Sequence, residues 1–127
     1  MNPLTALAAV AILLAPAELS ASGAGPADQP VMEIVTFRLR DGVDTGTYLD
    51  AARATEAFLR ETGAVTRRAL TRDADGTWTD IIEWTSLRAA KAAEAEAMGR
   101  PEFAAFFDAF DPESLQMRHA PILWRME

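Results

Sequence analysis

Residues 64–85, AVTRRALTRDADGTWTDIIEWT, contain the stretch that decides the fold. Two runs rich in β-branched and aromatic residues, 64–72 and 77–85, flank the sequence Asp73-Ala74-Asp75-Gly76. An Asp-Gly turn between two such runs is typical of a β-hairpin. We therefore predict two antiparallel strands joined by this turn.

The sequence before the hairpin predicts a strand followed by a helix. Residues 31–40 alternate, with residues 31, 33, 35, 37 and 39 on one face, which indicates a strand. Asp44 or Thr45 can cap a helix that runs to about Thr62, where Gly63 provides the stop signal. The hairpin therefore follows a β-α unit.

The sequence after the hairpin predicts two helices and a return to strand. Ser86 caps an Ala-rich helix to about Met98, and Pro101 opens a short helix through Phe110. Residues 114–120 and 122–125 have strand character, interrupted by Pro121. The order β-α-β-β-α-β is that of an α+β, ferredoxin-like fold, an antiparallel sheet with helices on one face.

The sheet face opposite the helices needs a second cover. Met32, Ile34 and Ile81 fall on that face by alternation, and a twofold partner could cover them. We therefore expect a homodimer. We also expect Arg38 and Glu83 to pair across neighbouring strands at the edge of its interface.

Composition limits the function classes. The chain has 127 residues, half of them apolar, which fits one domain, and its net charge of −7 argues against a nucleic-acid partner. It has no Cys, so thiolate chemistry and disulfides are excluded, and His119 is its single histidine. No phosphate-binding loop, metal-binding His pair or flavin or nicotinamide fingerprint occurs, so we expect no cofactor and no metal.

The first thirty residues differ from the rest and contain two charged side chains, Glu18 and Asp28. The apolar run 4–15 is too short to span a membrane but suits a signal peptide ending near residue 17, although no Lys or Arg precedes it. We predict a signal peptide at 1–17, a flexible linker at 18–30 and a domain at 31–127. Export to the periplasm or medium follows, with no stable membrane anchor. The alternative is a cytoplasmic protein that starts at Met32.

Three segments resemble a known family. The runs EIVTFRL at 33–39, IEWTS at 82–86 and RPEF at 100–103 with Phe106-Phe107 resemble the antibiotic-biosynthesis-monooxygenase-like group of dimeric α/β-barrel proteins, over residues 31–120. The group includes cofactor-independent oxygenases and heme-degrading monooxygenases. The resemblance implies a dimeric barrel with a cavity between the sheet and the helices.

The resemblance disfavours heme degradation. That branch's tryptophan matches Trp84, but its heme-ligating histidine would fall near Phe107 and its strand asparagine at Phe37. Neither phenylalanine can ligate iron or donate a hydrogen bond to bound oxygen.

Six residues are candidates for a site in the expected cavity. Asp80 and, as a rival, His119 could act as the general base, whereas Glu33 is expected to be exposed at the strand's start. The predicted substrate contacts are Trp84, Trp78, Phe37 and Tyr48. Core packing is the alternative role for these aromatic residues.

The resemblance and these residues together suggest a cofactor-independent monooxygenase. Its substrate would be a small aromatic or quinol-type molecule in an apolar cavity, and a base would start the reaction by removing a proton. The alternative is a non-catalytic barrel that binds a small apolar or aromatic ligand or has a structural role. The homodimer is expected in either case.

Overall fold

A computed structural model describes residues 24–127. The predicted signal peptide at 1–17 and the first part of the predicted linker lie outside the described residues. None of the helices in the described part of the chain has the length and apolarity needed to cross a membrane.

Four strands form one antiparallel sheet in the order β2-β3-β1-β4. In chain order the elements are α1 (Ala24–Asp28), β1 (Val31–Phe37), α2 (Thr45–Ala54), α3 (Glu56–Glu61), β2 (Val65–Arg72), β3 (Trp78–Trp84), α4 (Leu87–Ala97), a 3₁₀ turn (Pro101–Phe103), α5 (Ala104–Asp108) and β4 (Gln116–Pro121). The predicted hairpin is β2-β3, and the predicted ferredoxin-like α+β fold is confirmed.

The predicted first helix is divided in two at Thr55. The Thr55 hydroxyl donates to the carbonyl of Ala52 at 2.6 Å, and Arg68 reaches the same carbonyl at 3.4 Å. A hydroxyl that bonds back to the preceding turn bends a helix. The chain therefore changes direction between α2 and α3 where Arg68 contacts it.

The last part of the predicted linker 18–30 contains a short helix that contacts the start of α4. This helix is α1, and Asp28 pairs with Arg88 at 3.4 Å. The backbone N–H of Leu87 donates to the carbonyl of Gln29 at 3.0 Å. These bonds hold residues 24–30 against the start of α4, and the predicted bounds of linker and domain stay a prediction.

The alternation predicted for β1 and β3 sets the two faces of the sheet. The inner face, covered by the helices, contains Val31, Glu33, Phe37, Trp78, Asp80, Ile82 and Trp84, all buried. On the opposite, outer face, Met32, Ile34 and Ile81 are only partly buried. Ile34 lies directly across from Ile81. The chain thus leaves an apolar strip only partly buried on the outer face.

The predicted pairing of Arg38 with Glu83 is wrong. Strand β1 ends at Phe37, and Glu83 lies opposite Met32, near the other end of the strand. In an antiparallel pair, advancing along one strand means retreating along the other, so residues 38 and 83 are far apart. Arg38 instead pairs with Asp75 at the hairpin turn, at 3.7 Å.

The chain after Pro121 does not form the second final strand predicted at 122–125. Arg125 instead forms an ion pair with the buried Glu83. Leu123, Trp124 and Met126 are exposed. Pro121 cannot donate a backbone hydrogen bond, which suits the last position of an edge strand.

Candidate functional site

A cavity of about 100 Å³ lies between the inner face of the sheet and helices α3, α4 and α5. Most of its wall is apolar, built from aromatic side chains of the α5 region and from two methionines: Phe103, Phe106, Phe107, Phe110, Met98 and Met117. Its ionisable lining groups are Glu33, Arg68, Asp80 and Glu94. The site therefore combines a mostly apolar volume with a few charged groups.

Two of the six predicted site residues, Asp80 and Trp84, line the cavity from strand β3. Alternation along the strand places Ile82 between them on the same wall. The Trp84 indole Nε1 donates to Glu33 Oε1 at 3.0 Å, so its ring is fixed by a buried hydrogen bond as well as by packing.

Asp80 is buried, but its carboxylate is fully engaged. Arg68 Nε donates to Oδ1 at 3.1 Å and Arg68 Nη2 to Oδ2 at 2.9 Å. Burial lowers the pKa of the Arg68 guanidinium, but the hydrogen bonds and charge of Asp80 outweigh burial, and the pKa is raised. Each carboxylate oxygen thus accepts a hydrogen bond from Arg68, and proton abstraction by Asp80 would compete with this ion pair. Its role as base stays a prediction, and the geometry favours a structural ion pair.

Glu33, expected to be exposed, is buried and lines the cavity. It lies in the central strand β1, between Ile82 of β3 and His119 of β4. Burial raises the pKa of the Glu33 carboxyl, the contact with His119 opposes this rise, and the charge of Glu94 adds to it. Glu33 is thus a carboxylate that faces an apolar cavity.

His119 points towards the helices, as the alternation along its strand predicts, and meets two carboxylates. Its Nε2 lies 3.0 Å from Glu94 Oε1 and 3.8 Å from Glu33 Oε1. The 3.0 Å contact is an ion pair without hydrogen-bond alignment, since neither Nε2 nor Glu94 Oε1 has a hydrogen-bond partner. Burial lowers the pKa of the imidazole, but the two carboxylates outweigh burial and raise it to about 9. His119 does not itself line the cavity, although both of its carboxylate partners do.

The remaining three predicted residues, Phe37, Tyr48 and Trp78, pack against one another beside the cavity and do not line it. The Tyr48 ring centroid lies 5.4 Å from that of Phe37 and 4.9 Å from that of Trp78. The Tyr48 hydroxyl is buried without a hydrogen-bond partner, and burial raises its pKa. We assign this cluster to the core, and a substrate contact for any of the three stays a prediction.

Sequence reasoning missed Glu94 and Arg68. Glu94 follows buried Ala90 by four positions and precedes buried Ala97 by three, so helical spacing places it on the buried side of α4. That spacing could have identified it. No such spacing signals the role of Arg68. Its strand, β2, lies at the edge of the sheet, and the burial of Arg68 depends on its ion pair with Asp80 of β3.

The arrangement supports two kinds of chemistry. Glu33 can accept a proton from a molecule in the cavity, with His119 beside it to compensate charge. The oxygens of Glu33 and Glu94 and the nitrogen of His119 are also a donor set that suits a divalent metal. Where the resemblance would place a heme-ligating histidine, the cavity wall has Phe107, which has no ligand atom.

Fold and site together define a ferredoxin-like α+β protein with an inner apolar cavity and an ionisable cluster at its wall. No protein-family model matches the chain, and no curated protein matches its sequence. The chain is similar in structure to solved proteins of the antibiotic-biosynthesis-monooxygenase-like group, which confirms the predicted resemblance at the level of fold.

Three solved structures illustrate this similarity. SnoaB from Streptomyces nogalater, a cofactor-independent oxygenase, aligns with 17% identity and a TM-score of 0.53 over 78% of this chain and 96% of its own. A candidate antibiotic biosynthesis monooxygenase from Bordetella bronchiseptica aligns with 17% identity and a TM-score of 0.61 over 76% and 99%. The hydroxynitrile lyase of Passiflora edulis aligns with 14% identity and a TM-score of 0.54 over 79% and 99%. The fold is thus common to proteins with different activities, and the reaction has to be argued from the site.

Proposed function

We propose that this protein is a cofactor-independent monooxygenase whose substrate is a small aromatic, quinol-type molecule bound in the inner cavity. The observation that carries the proposal is the placement of Glu33, a buried carboxylate that lines an apolar cavity beside a histidine. Similarity in fold to a cofactor-independent oxygenase supports the same reaction class.

The cavity volume limits the substrate to about one ring. At about 100 Å³ the cavity is smaller than the roughly 150 Å³ of an apolar cavity known to bind benzene. Met98 and Met117 line it, and their unbranched, flexible side chains can move to admit a ring. Fused three- or four-ring molecules would require the helices to separate from the sheet.

In the proposed reaction the substrate supplies all the electrons. Glu33 accepts the proton of a phenolic hydroxyl, and the resulting anion transfers one electron to dioxygen. The two radicals combine at a ring carbon, Glu33 returns its proton to the resulting peroxide anion, and the hydroperoxide then loses water. The sum is one quinol plus one O₂ giving one hydroxylated quinone plus one water. His119 lies close enough to Glu33, at 3.8 Å, to act as a positioning residue.

Non-catalytic binding of a small aromatic ligand is the second candidate. The Arg68–Asp80 ion pair favours this function, because it engages Asp80, one of the two carboxylates that β1 and β3 contribute to the cavity wall. An oxygen electrode separates the two candidates. If the protein is an oxygenase, chelator-treated protein should consume oxygen with a single-ring quinol. Binding of the quinol without oxygen uptake would overturn the oxygenase and support the ligand-binding function.

We also propose a homodimer that uses the outer face of the sheet. Met32, Ile34 and Ile81 form an apolar strip there that the subunit leaves only partly buried. A twofold copy of the same face would cover it. Light scattering coupled to size exclusion should give twice the subunit mass, and a monomer at micromolar concentration would contradict this proposal.

Export remains a proposal that rests on the apolar run at 4–15. N-terminal sequencing of protein from its native host tests it. A mature start near Glu18 supports export, whereas a cytosolic protein that starts at Met32 overturns it.

A further inference from the structure

A cluster of three donor groups lies at one end of the cavity wall. Glu33 comes from β1, His119 from β4 and Glu94 from α4, and one donor atom of each lies within 4.8 Å of the others. Three separate elements thus converge on one point, and two of them are neighbouring strands with Glu33 and His119 in register.

The donor atoms are spaced as metal ligands are spaced. For bonds of about 2.1 Å and tetrahedral angles, two ligand atoms on one zinc ion lie about 3.4 Å apart. The His119 Nε2 distances of 3.0 Å to Glu94 Oε1 and 3.8 Å to Glu33 Oε1 lie on either side of that value. All three donor atoms lie within 4.8 Å of one another, so side-chain shifts of about an ångström or less would complete the geometry.

Two of these donor atoms lack the hydrogen bonds that buried polar atoms normally make. His119 Nε2 and Glu94 Oε1 are buried without a hydrogen-bond partner, and only 8% of the His119 side chain is exposed. A buried polar atom without a partner costs free energy and calls for an explanation. A cation between these atoms would satisfy both at once.

The groups around the cluster orient its two carboxylates and leave Glu94 Oε1 facing His119. Trp84 Nε1 donates to Glu33 Oε1 and so orients that carboxylate, as hydrogen bonds to metal-ligating carboxylates do. Lys91 lies 3.9 Å from Oε2 of Glu94, which is the oxygen that does not face His119. A cation that displaces the His119 proton would meet two carboxylates and a neutral imidazole, whose two negative charges match a divalent ion.

We propose that Glu33, Glu94 and His119 form a binding site for one divalent transition-metal ion of the zinc type, with a water molecule completing the coordination. Imidazole and carboxylate donors suit zinc, iron and manganese, and a site with three protein ligands keeps one position open. The site includes the carboxylate that the proposed oxygenase reaction uses. Bound zinc should therefore inhibit that reaction.

Isothermal titration of untagged, chelator-treated protein with Zn²⁺ tests the proposal. We expect one ion per chain, and the background is low because His119 is the single histidine and the chain has no Cys. Glu94→Gln should weaken zinc binding at least tenfold, and His119→Gln should abolish it. Glu96→Gln, an exposed position on the same helix, should leave it unchanged.

Cobalt spectroscopy of the wild-type protein gives a readout that does not depend on any variant folding. Bound Co²⁺ with few ligands absorbs strongly in the visible range, whereas the weak spectrum of the aqueous ion would overturn the metal site. Equal zinc affinity for the wild type and Glu94→Gln, or an equal loss in Glu96→Gln, would also overturn it.

Oxygen uptake separates the two proposals from each other. Zinc binding without quinol-dependent uptake would overturn the oxygenase and leave the metal site. Uptake by chelator-treated protein that binds no zinc would overturn the metal site and leave the oxygenase. Uptake that requires the metal would support the site and overturn a cofactor-independent reaction.

Discussion

Replacing Asp80 by Asn separates its structural role from its predicted role as a base. The substitution keeps the shape of the side chain but removes its charge. It also replaces one of the two oxygens that accept from Arg68 by an NH₂ group, which cannot accept. Asp80 and Arg68 are 3% and 17% exposed, so the guanidinium would remain buried without its counter-charge. Breaking a buried pair by removing one partner costs about 3–5 kcal/mol.

The lower end of that range applies here. Arg68 keeps its bonds to Thr55 Oγ1, at 3.0 Å, and to the carbonyl of Ala52. We therefore expect Asp80→Asn to lower the free energy of unfolding by about 3 kcal/mol, or Tm by about 12 °C or more in a domain of this size.

Urea denaturation followed by tryptophan emission at one fixed protein concentration measures the loss. The matched control is Asp50→Asn, which breaks an ion pair of similar length, 3.1 Å, whose partners Asp50 and Arg53 are 82% and 68% exposed. The control should cost less than about 0.5 kcal/mol. An Asp80→Asn variant within about 1 kcal/mol of the wild type would refute the structural role of the pair.

Three further predictions concern single contacts. Trp84→Phe removes the donor to buried Glu33 and should destabilise the fold by about 1–3 kcal/mol in urea, whereas Trp124→Phe, at an exposed position, should be silent. Gly63→Ala should cost about 1 kcal/mol of thermal stability. The cost comes from the backbone, since φ is +67°, and not from a clash, since nothing lies within 4 Å of the added methyl group. Ile34→Lys on the outer face should shift light scattering from dimer to monomer, and an unchanged dimer would place the interface elsewhere.

Local signals predicted the fold well because each element carries its own pattern. Asp73–Gly76 formed the expected turn, Gly63 followed the expected helix, and Ser86 capped α4 through its hydroxyl at 3.0 Å from the N–H of Ala89. These features depend on residues a few positions apart. The break at Thr55 was missed because it involves Arg68, thirteen positions away.

The site was harder to predict because burial there depends on elements distant in sequence. Glu33 stands near the beginning of its strand, where exposure is the ordinary expectation, but β4 and α4 close over it with His119 and Glu94. Asp80 had the burial expected of a base, but its pairing with Arg68 requires the register of β2 on β3. Spacing along the chain does not reveal either outcome.

The measurement that tests the central claim most directly is the rate of oxygen uptake by Glu33→Gln. The introduced amide would keep an oxygen to accept the Trp84 N–H, so this buried hydrogen bond is retained, but the amide cannot take a proton. With a single-ring quinol and chelator-treated protein, we predict a rate at least about a hundredfold below wild type, quinol binding within about threefold and no change for Glu96→Gln. Equal rates for Glu33→Gln and the wild type, or no uptake by the wild type with any single-ring quinol, would contradict the account.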